Sequence, residues 1–429
     1  MSARVPLVLA LMLVSSPATA RAQSPDLATA VAEVTPGITE IRHDIHAHPE
    51  LGNREFRTAE LVAEELRALG LDEVRTGVAH TGVVGVLRGG RPGPVVAVRA
   101  DMDALPVKEE TGYPFASTVR SEYRGEAVWV SHACGHDVHT AIGLGVARVL
   151  AGRREELPGT VLFVFQPAEE GAPPGEEGGA ALMLEEGTFS DPRPEAAFAL
   201  HTFAEMDVGR LGYTPGPAMA AADRWTATLR GQQAHGASPH LSVDPVVMAA
   251  QAVLGLQTIR SRNMDPLAPG VVTVGIIRGG ERNNIIPMEV YLEGTVRTFD
   301  PAVQALVERR MGDILNGAAE AAGGSVDFEY LRGVPVTVND RELSARMAPV
   351  LASVVGEDHV DVLEPTTGAE DFSYFANEVP SFYFRLGTND PELPSGGHHT
   401  PTFRAADASI PIGIEALTKV VLEYLTSGT

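Results

Sequence analysis

The chain has 429 residues, too many for one ordinary hydrophobic core and enough for two domains. Its 33 basic residues against 56 acidic ones give a formal charge of −23, which repels phosphate backbones and argues against nucleic acid as a partner. A single cysteine excludes a disulfide framework within the chain.

The first element is a targeting segment. MSARVPLVLALMLVSSPATARAQ carries Arg4, an apolar run from Val5 to Val14 and the small-x-small site Ala20-Arg21-Ala22. That pattern predicts a secretory signal peptide over residues 1–22, too short to span a bilayer. Its removal takes away Arg4 and Arg21 and no acid, leaving 31 basic against 56 acidic residues, or −25. No cysteine stands near the cleavage point to carry a lipid, and no later apolar run is long enough to cross a membrane. The expected mature protein is exported, periplasmic or secreted, with no membrane attachment after cleavage.

Residues 23–218 read as the first part of a catalytic domain. HDIHAHPELGNREFRTAELVAEELRALG is helix, turn and helix, stopping at Gly70. GVVGVLRG and VVAVRA follow as strands, VHTAIGLGVARVLAG as an apolar helix, and GTVLFVFQ and AAFALH as short buried strands. Strands alternating with helices predict a layered α/β domain. Over residues 219–332 the rhythm changes to β-α-β-β-α-β, the ferredoxin-like order, complete in itself and so inserted as a lid domain. Residues 333–429 resume the catalytic domain, with SFYFRLG as a buried strand and ASIPIGIEALTKVVLEYL as the closing helix.

In open α/β sheets, sites form beyond the carboxyl ends of strands. Asp101 and Asp103 follow VVAVR, Glu169 and Glu170 follow TVLFVFQ, His201 ends AAFAL, and His398 and His399 lie in a loop after SFYFRLG. Cys134 and His136, in SHACGHDVHT, stand just before a helix. Each has an ordinary explanation by itself: a hydrogen-bonded histidine, a capping aspartate pair, a solvated glutamate loop, a buried apolar cysteine. Their coincidence at strand ends, with thiol, imidazole and carboxylate all represented, suits a borderline metal such as zinc, with the cysteine as a thiolate ligand. Neighbours on one backbone cannot comfortably reach the same metal. One of Glu169 and Glu170 would bind, while the other faces a metal-bound water and takes its proton as it attacks a carbonyl. That is a metallohydrolase arrangement.

RADMDALP, ACGHDVHTA, QPAEEG, ALHTF, GAEDFSYF and HHTPTF resemble, in this order, the motifs of the M20 metallopeptidase family. The similarity is greatest to its amidohydrolase branch of aminoacylase-like, hippurate-hydrolase-like and auxin-conjugate-hydrolase-like enzymes, and runs from about His43 to the C-terminus. The resemblance implies two divalent metal ions on the larger domain, Zn or Mn with Co or Ni also able to serve, and a lid that often makes a homodimer contact. By it the ligands are Cys134, His136, Glu170, His201 and His399, with Cys134 as the bridge. Glu169 is the general base toward the bridging water and then the proton donor to the leaving amine. Asp103 orients a ligand, and Asp101 stays open between that role and a structural one. In GQQAHGASPH, His235 is the candidate for stabilising the oxyanion, across a dimer interface. Asn284 in NNIIP and Arg297 in GTVRT would hold the substrate carboxylate.

The chain differs from the wider family in four places, the first of which matches the amidohydrolase branch, in which Cys134 and His136 serve instead. Asp101-Met102-Asp103 replaces the wider family's His-x-Asp, ALHTFAEMDVG lacks a proline-rich continuation, and GQQ replaces a glycine-rich approach to His235. HHT offers two histidines where one is needed, and the His-x-Pro spacing favours His399 over His398. The leading expectation is hydrolysis of N-acyl amino acids to a carboxylate and a free amino acid. Metallocarboxypeptidase or dipeptidase action on short peptides uses the same scaffold. A non-catalytic exported amino-acid-binding protein would not need Glu169 beside a full ligand set.

Overall fold

The computed structural model describes residues 26–427, so the expected signal peptide lies outside the described residues. The chain begins with two helices, α1 (Leu27–Ala47) and α2 (Phe56–Ala68). The Asp26 carboxylate starts α1 by accepting the Thr29 N–H at 2.9 Å. Strands β1 (Glu73–Val78), β2 (Gly82–Arg88) and β3 (Arg91–Asp101) follow, then α3 (His136–Ala151), β4 (Pro158–Gln166), β5 (Ala196–Asp207) and β6 (Leu211–Tyr213). The next unit runs β7 (Ala221–Arg230), α4 (Pro245–Thr258), β8 (Gly270–Gly279), β9 (Glu289–Thr298), α5 (Pro301–Ala322) and β10 (Ser325–Val334). The chain closes with α6 (Arg341–Val355), β11 (Val360–Val362), α7 (Phe372–Glu378), β12 (Ser381–Asn389) and α8 (Ser409–Thr426).

Eight strands form one mixed sheet in the order β1-β2-β4-β3-β5-β12-β6-β11. Its four central strands, β4, β3, β5 and β12, are mutually parallel, so their carboxyl ends share one edge. That edge is where a parallel sheet places its chemistry. Alternation divides the side chains between two faces. Phe382, Phe384 and Leu386 join Val98, Phe163, Phe198, Val138, Ile142 and Ile414 in the core shared with α1, α3 and α8. Tyr383, Val164, Ala199 and Phe372 pack on the opposite face with α7. Helix α3 is apolar nearly all round because almost every side is covered; a Cβ at Gly145 would come within 2.4 Å of Ile414 Cδ1.

The strand AAFALH is longer than the sequence predicts and does not stop at His201. Pairing with β3 ends at Ala199, but β12 carries the ladder onward through His201, Thr202 and Phe203. His201 therefore stands on rigid strand with one flank already open. That is the position from which a side chain can enter a site without losing its backbone support.

Strands β7 to β10 form a separate antiparallel sheet in the order β8-β9-β7-β10, with α4 and α5 packed against it. Its core is its own, built on Trp225, Leu292, Val296, Met248, Leu256, Met311 and Leu315. This is the β-α-β-β-α-β unit expected from the pattern. The strand pair Gly216–Met219 and Thr337–Asn339 lies where the chain passes into and out of it.

Candidate active site

The cysteine turn is shaped by one glycine. Gly135 caps α3 at φ +90°, and a Cβ there would sit 2.5 Å from Thr202 Oγ1. Without that Cβ, the turn lies against β5 and Thr202 Oγ1 donates to the Cys134 carbonyl at 2.8 Å. Cys134 and His136 are thereby held beside His201, with all three side chains buried.

Hydrogen bonds assign the free nitrogen of each imidazole. His136 Nδ1 lies 3.1 Å from Asp103 Oδ1, which leaves its buried Nε2 without a partner. His201 Nδ1 donates to the Thr202 carbonyl at 2.6 Å, which leaves the lone pair on Nε2, 3.6 Å from Cys134 Sγ. His398 differs. Its Nε2 accepts the Ala204 N–H at 3.2 Å, so the proton sits on Nδ1 and points to Cys134 Sγ at 3.6 Å. His399, at φ +62°, is anchored by its N–H on the Ala133 carbonyl at 2.8 Å and puts Nε2 3.0 Å from Glu170 Oε1. His139 is closed to further bonding: Nδ1 meets Asp101 at 2.6 Å and Nε2 accepts the Thr202 N–H at 2.8 Å.

Two donor groups share the sulfur: Cys134 with His136 and His201, and Cys134 with Glu170 and His399, each with its ligand atoms within 4.8 Å of one another. A thiolate common to two mixed sets of imidazole and carboxylate fits two adjacent divalent cations. The electrostatics fit as well. Burial pushes the Cys134 thiol well above its usual range, and the Glu170 and Glu169 carboxylates push it further. Burial would lower His136, but Asp101 and Asp103 outweigh it and raise the imidazole to about 10. The cluster thus retains a proton where it is short of positive charge, and a cation would reverse both shifts.

Beside these donors stands a group of acids. Glu169 Oε2 is 3.9 Å from His136 Nε2, and Glu169 Oε1 faces the Asp371 N–H at 3.4 Å. Burial raises the Glu169 carboxyl well above the ordinary range, with Glu370, Glu170 and Asp371 adding to it and Arg99 opposing. Asp371 is raised to about 7, by burial and Glu370 against Arg99. A carboxylate with its proton affinity raised in this way can act in proton transfer. The buried Arg99 ties the group together, donating to Asp101 at 2.6 Å, Gln166 and Glu370 at 2.8 Å and Asp371 at 3.1 Å. Asp101 thus holds Arg99 and His139, a supporting position.

A cleft of about 570 Å³ gathers Cys134, Glu169, Glu170, His201, His398 and His399, with Glu370, Asp371 and Arg385 in the same wall. Arg297, from β9, reaches it from the lid sheet. His235 and Asn284 do not line this cleft. They lie together, exposed, on the lid, where His235 pairs with Ile285 and the Gly236 N–H bonds to the Asn284 carbonyl at 2.9 Å. Sequence reasoning passed over Arg99, His139, Glu370, Asp371 and Arg385. The available signal was an arginine inside each of two apolar strands, VVAVRAD and SFYFRLG, since a buried cation needs a reason.

The profile of peptidase family M20/M25/M40 matches residues 97–423. Thermostable carboxypeptidase 2 of Saccharolobus solfataricus is 37% identical over 84% of this chain and 88% of its own. N-acetylcysteine deacetylase of Bacillus subtilis is 35% identical over 90% of this chain and 97% of its own. Among solved structures, Bacillus subtilis YXEP, a dinuclear metal-binding peptidase of the M20 family, superposes with a TM-score of 0.78 at 31% identity, covering 92% of this chain and 99% of that one.

Proposed function

The chain belongs to peptidase family M20/M25/M40 and is a metal-dependent hydrolase, and from that membership we propose that it is an exported amidohydrolase of N-acyl amino acids. Cys134, His136, Glu170, His201 and His399 would hold two divalent cations, Zn or Mn first. When bound, these supply Lewis acidity and a nucleophilic water at neutral pH. Glu169 takes the proton of the attacking water and passes it to the leaving amine. Arg297 binds the α-carboxylate of the amino-acid half, through paired N–H donors. His235 and Asn284 serve a second copy's cleft across a homodimer contact, His235 facing the developing oxyanion.

The observation that carries this reading is the position of Glu169. It shares the cleft with the donor set, 3.9 Å from the unpartnered Nε2 of His136, yet belongs to neither of the two donor groups that share the Cys134 sulfur. A non-catalytic binding protein has no use for such a group. The relative named as a deacetylase supports the acyl-amino-acid reading, and the relative named as a carboxypeptidase keeps peptides as the second. Amine release from N-acyl amino acids and dipeptides by the metal-loaded protein tests both. Turnover of acyl amino acids supports the first reading, turnover of dipeptides alone supports the second, and turnover of neither removes both.

A further inference from the structure

Arg385 is a cation without an anion. It lies on β12 directly beside His201 of β5, and on the same sheet face as Tyr383, the one turned away from Phe384 and Leu386. Its Nη1 donates to Tyr383 Oη at 3.0 Å and its Nη2 faces Met219 Sδ at 2.9 Å. The guanidinium lies over two rings, 5.7 Å from the Phe203 centroid and 5.0 Å from that of Tyr383. Tyr383 in turn donates to Glu370, so its oxygen is oriented to accept from Arg385. Among the described residues Arg385 makes no ion pair, whereas Arg99 on the same sheet has three acids.

Beside the guanidinium a second pocket, of about 210 Å³, opens off the main cleft. Phe203, Met219, Thr366 and Arg385 line both, and Tyr213, Ala218 and Leu363 give the side pocket apolar walls. Glu364 also borders it but is exposed and forms no ion pair with Arg385. An arginine fixed by aromatic faces, with donors left over and no acid paired to it, is preorganised for a ligand carboxylate.

Resting on the amidohydrolase reading, we propose that this side pocket receives the acyl half of the substrate and that the acyl group ends in a carboxylate bound by Arg385. With Arg297 on the lid engaging the amino-acid half, the pocket in the large domain is left to the acyl half. Arg385 and His201 are paired residues of adjacent parallel strands with their side chains on one face, and the 210 Å³ pocket beside the guanidinium has room for a short acyl chain. The substrates are then half-amides of short dicarboxylic acids with an amino acid. Hydrolysis breaks the C–N bond, forms a C–O bond from water and returns the water's proton to the amine. The products are a dicarboxylate and the free amino acid.

The test compares N-succinyl- and N-glutaryl-alanine with the uncharged N-butanoyl- and N-pentanoyl-alanine of equal length, for metal-loaded wild type, Arg385→Leu and Arg385→Lys. The expected wild-type kcat/KM favours the charged acyl group by about tenfold or more, the scale of a charge-assisted hydrogen bond. Arg385→Leu abolishes or inverts that ratio and Arg385→Lys restores part of it. A wild type that prefers the uncharged chains, or a ratio unchanged in Arg385→Leu, overturns the proposal. Calorimetric binding of glutarate against pentanoate separates this failure from failure of the acyl-amino-acid reading. Glutarate binding that depends on Arg385, in a protein that cuts no acyl amino acid, keeps the anion pocket and removes the acyl-amino-acid reading; glutarate binding equal in wild type and Arg385→Leu removes the pocket.

Discussion

One carboxylate, Asp103, steadies two candidate ligands: Oδ1 lies 3.1 Å from His136 Nδ1, while Oδ2 accepts the Glu170 N–H at 2.9 Å. It therefore fixes both the tautomer of an imidazole and the backbone of the loop that carries Glu169 and Glu170. Partners of this kind are worth about 10- to 100-fold in metal affinity. Asp103→Asn keeps the volume but weakens the acceptor facing His136. We expect its affinity for Zn or Mn to fall within that range, by competition against a chelator. Unaltered metal affinity would show that the contact only packs the loop.

Glu169→Gln separates binding from proton transfer. The amide keeps the size of the side chain and cannot take a proton, so the loss expected of a general base, about 10²- to 10⁴-fold in kcat, should appear with metal content unchanged. Metal analysis beside the kinetics decides the matter. If metal is lost in step with activity, Glu169 acts as a ligand.

Gly135→Ala probes the cysteine turn. The added Cβ must adopt φ +90° and meets Thr202 Oγ1 at 2.5 Å, and at neither point is there a flexible chain end to yield. Backbone strain of this kind costs roughly 1–3 kcal/mol. The expected result is a destabilisation of that order in denaturant melts, with weaker metal binding because Cys134 and His136 both move. A variant as stable as wild type would show that the turn has room to relax.

The candidate ligands could be picked out because their chemical types fell at the ends of strands that periodicity had already marked. The smaller β-α-β-β-α-β unit was legible for a similar reason: its order of elements closes on itself. What sequence could not supply were contacts between distant segments. The role of His398 depends on a bond from Ala204, 194 positions away, which places the proton on the nitrogen facing the sulfur. Glu370 and Asp371 stood in a quoted motif, but their meaning comes from Arg99, about 270 positions earlier in the sequence. The length of β5 depends on which neighbour stays beside it after β3 ends. Arg385 was read as part of a buried strand, and only the pairing of β12 with β5 brings it beside His201.

Glu55 gives a pH prediction with a definite sign. It is fully buried, accepts the Ala168 N–H at 2.9 Å and a hydrogen bond from Thr81, and so braces the loop leading into Glu169. Burial first, and then the nearby Asp103, raise its carboxyl from 4.5 to about 8. The folded state thus holds a proton that the unfolded chain releases near 4.5. Its contribution to stability is fully present below 4.5 and is lost as pH rises toward about 8. Glu55→Gln imitates the protonated form, since its carbonyl can still accept from Ala168 and its amide can donate to the Thr81 hydroxyl. Denaturant melts of the metal-free proteins across this range should show the variant gaining on wild type as pH rises, with the gap levelling off above about 8. Two curves that stay parallel would mean that Glu55 is ionised throughout, with its charge balanced by the loop it holds.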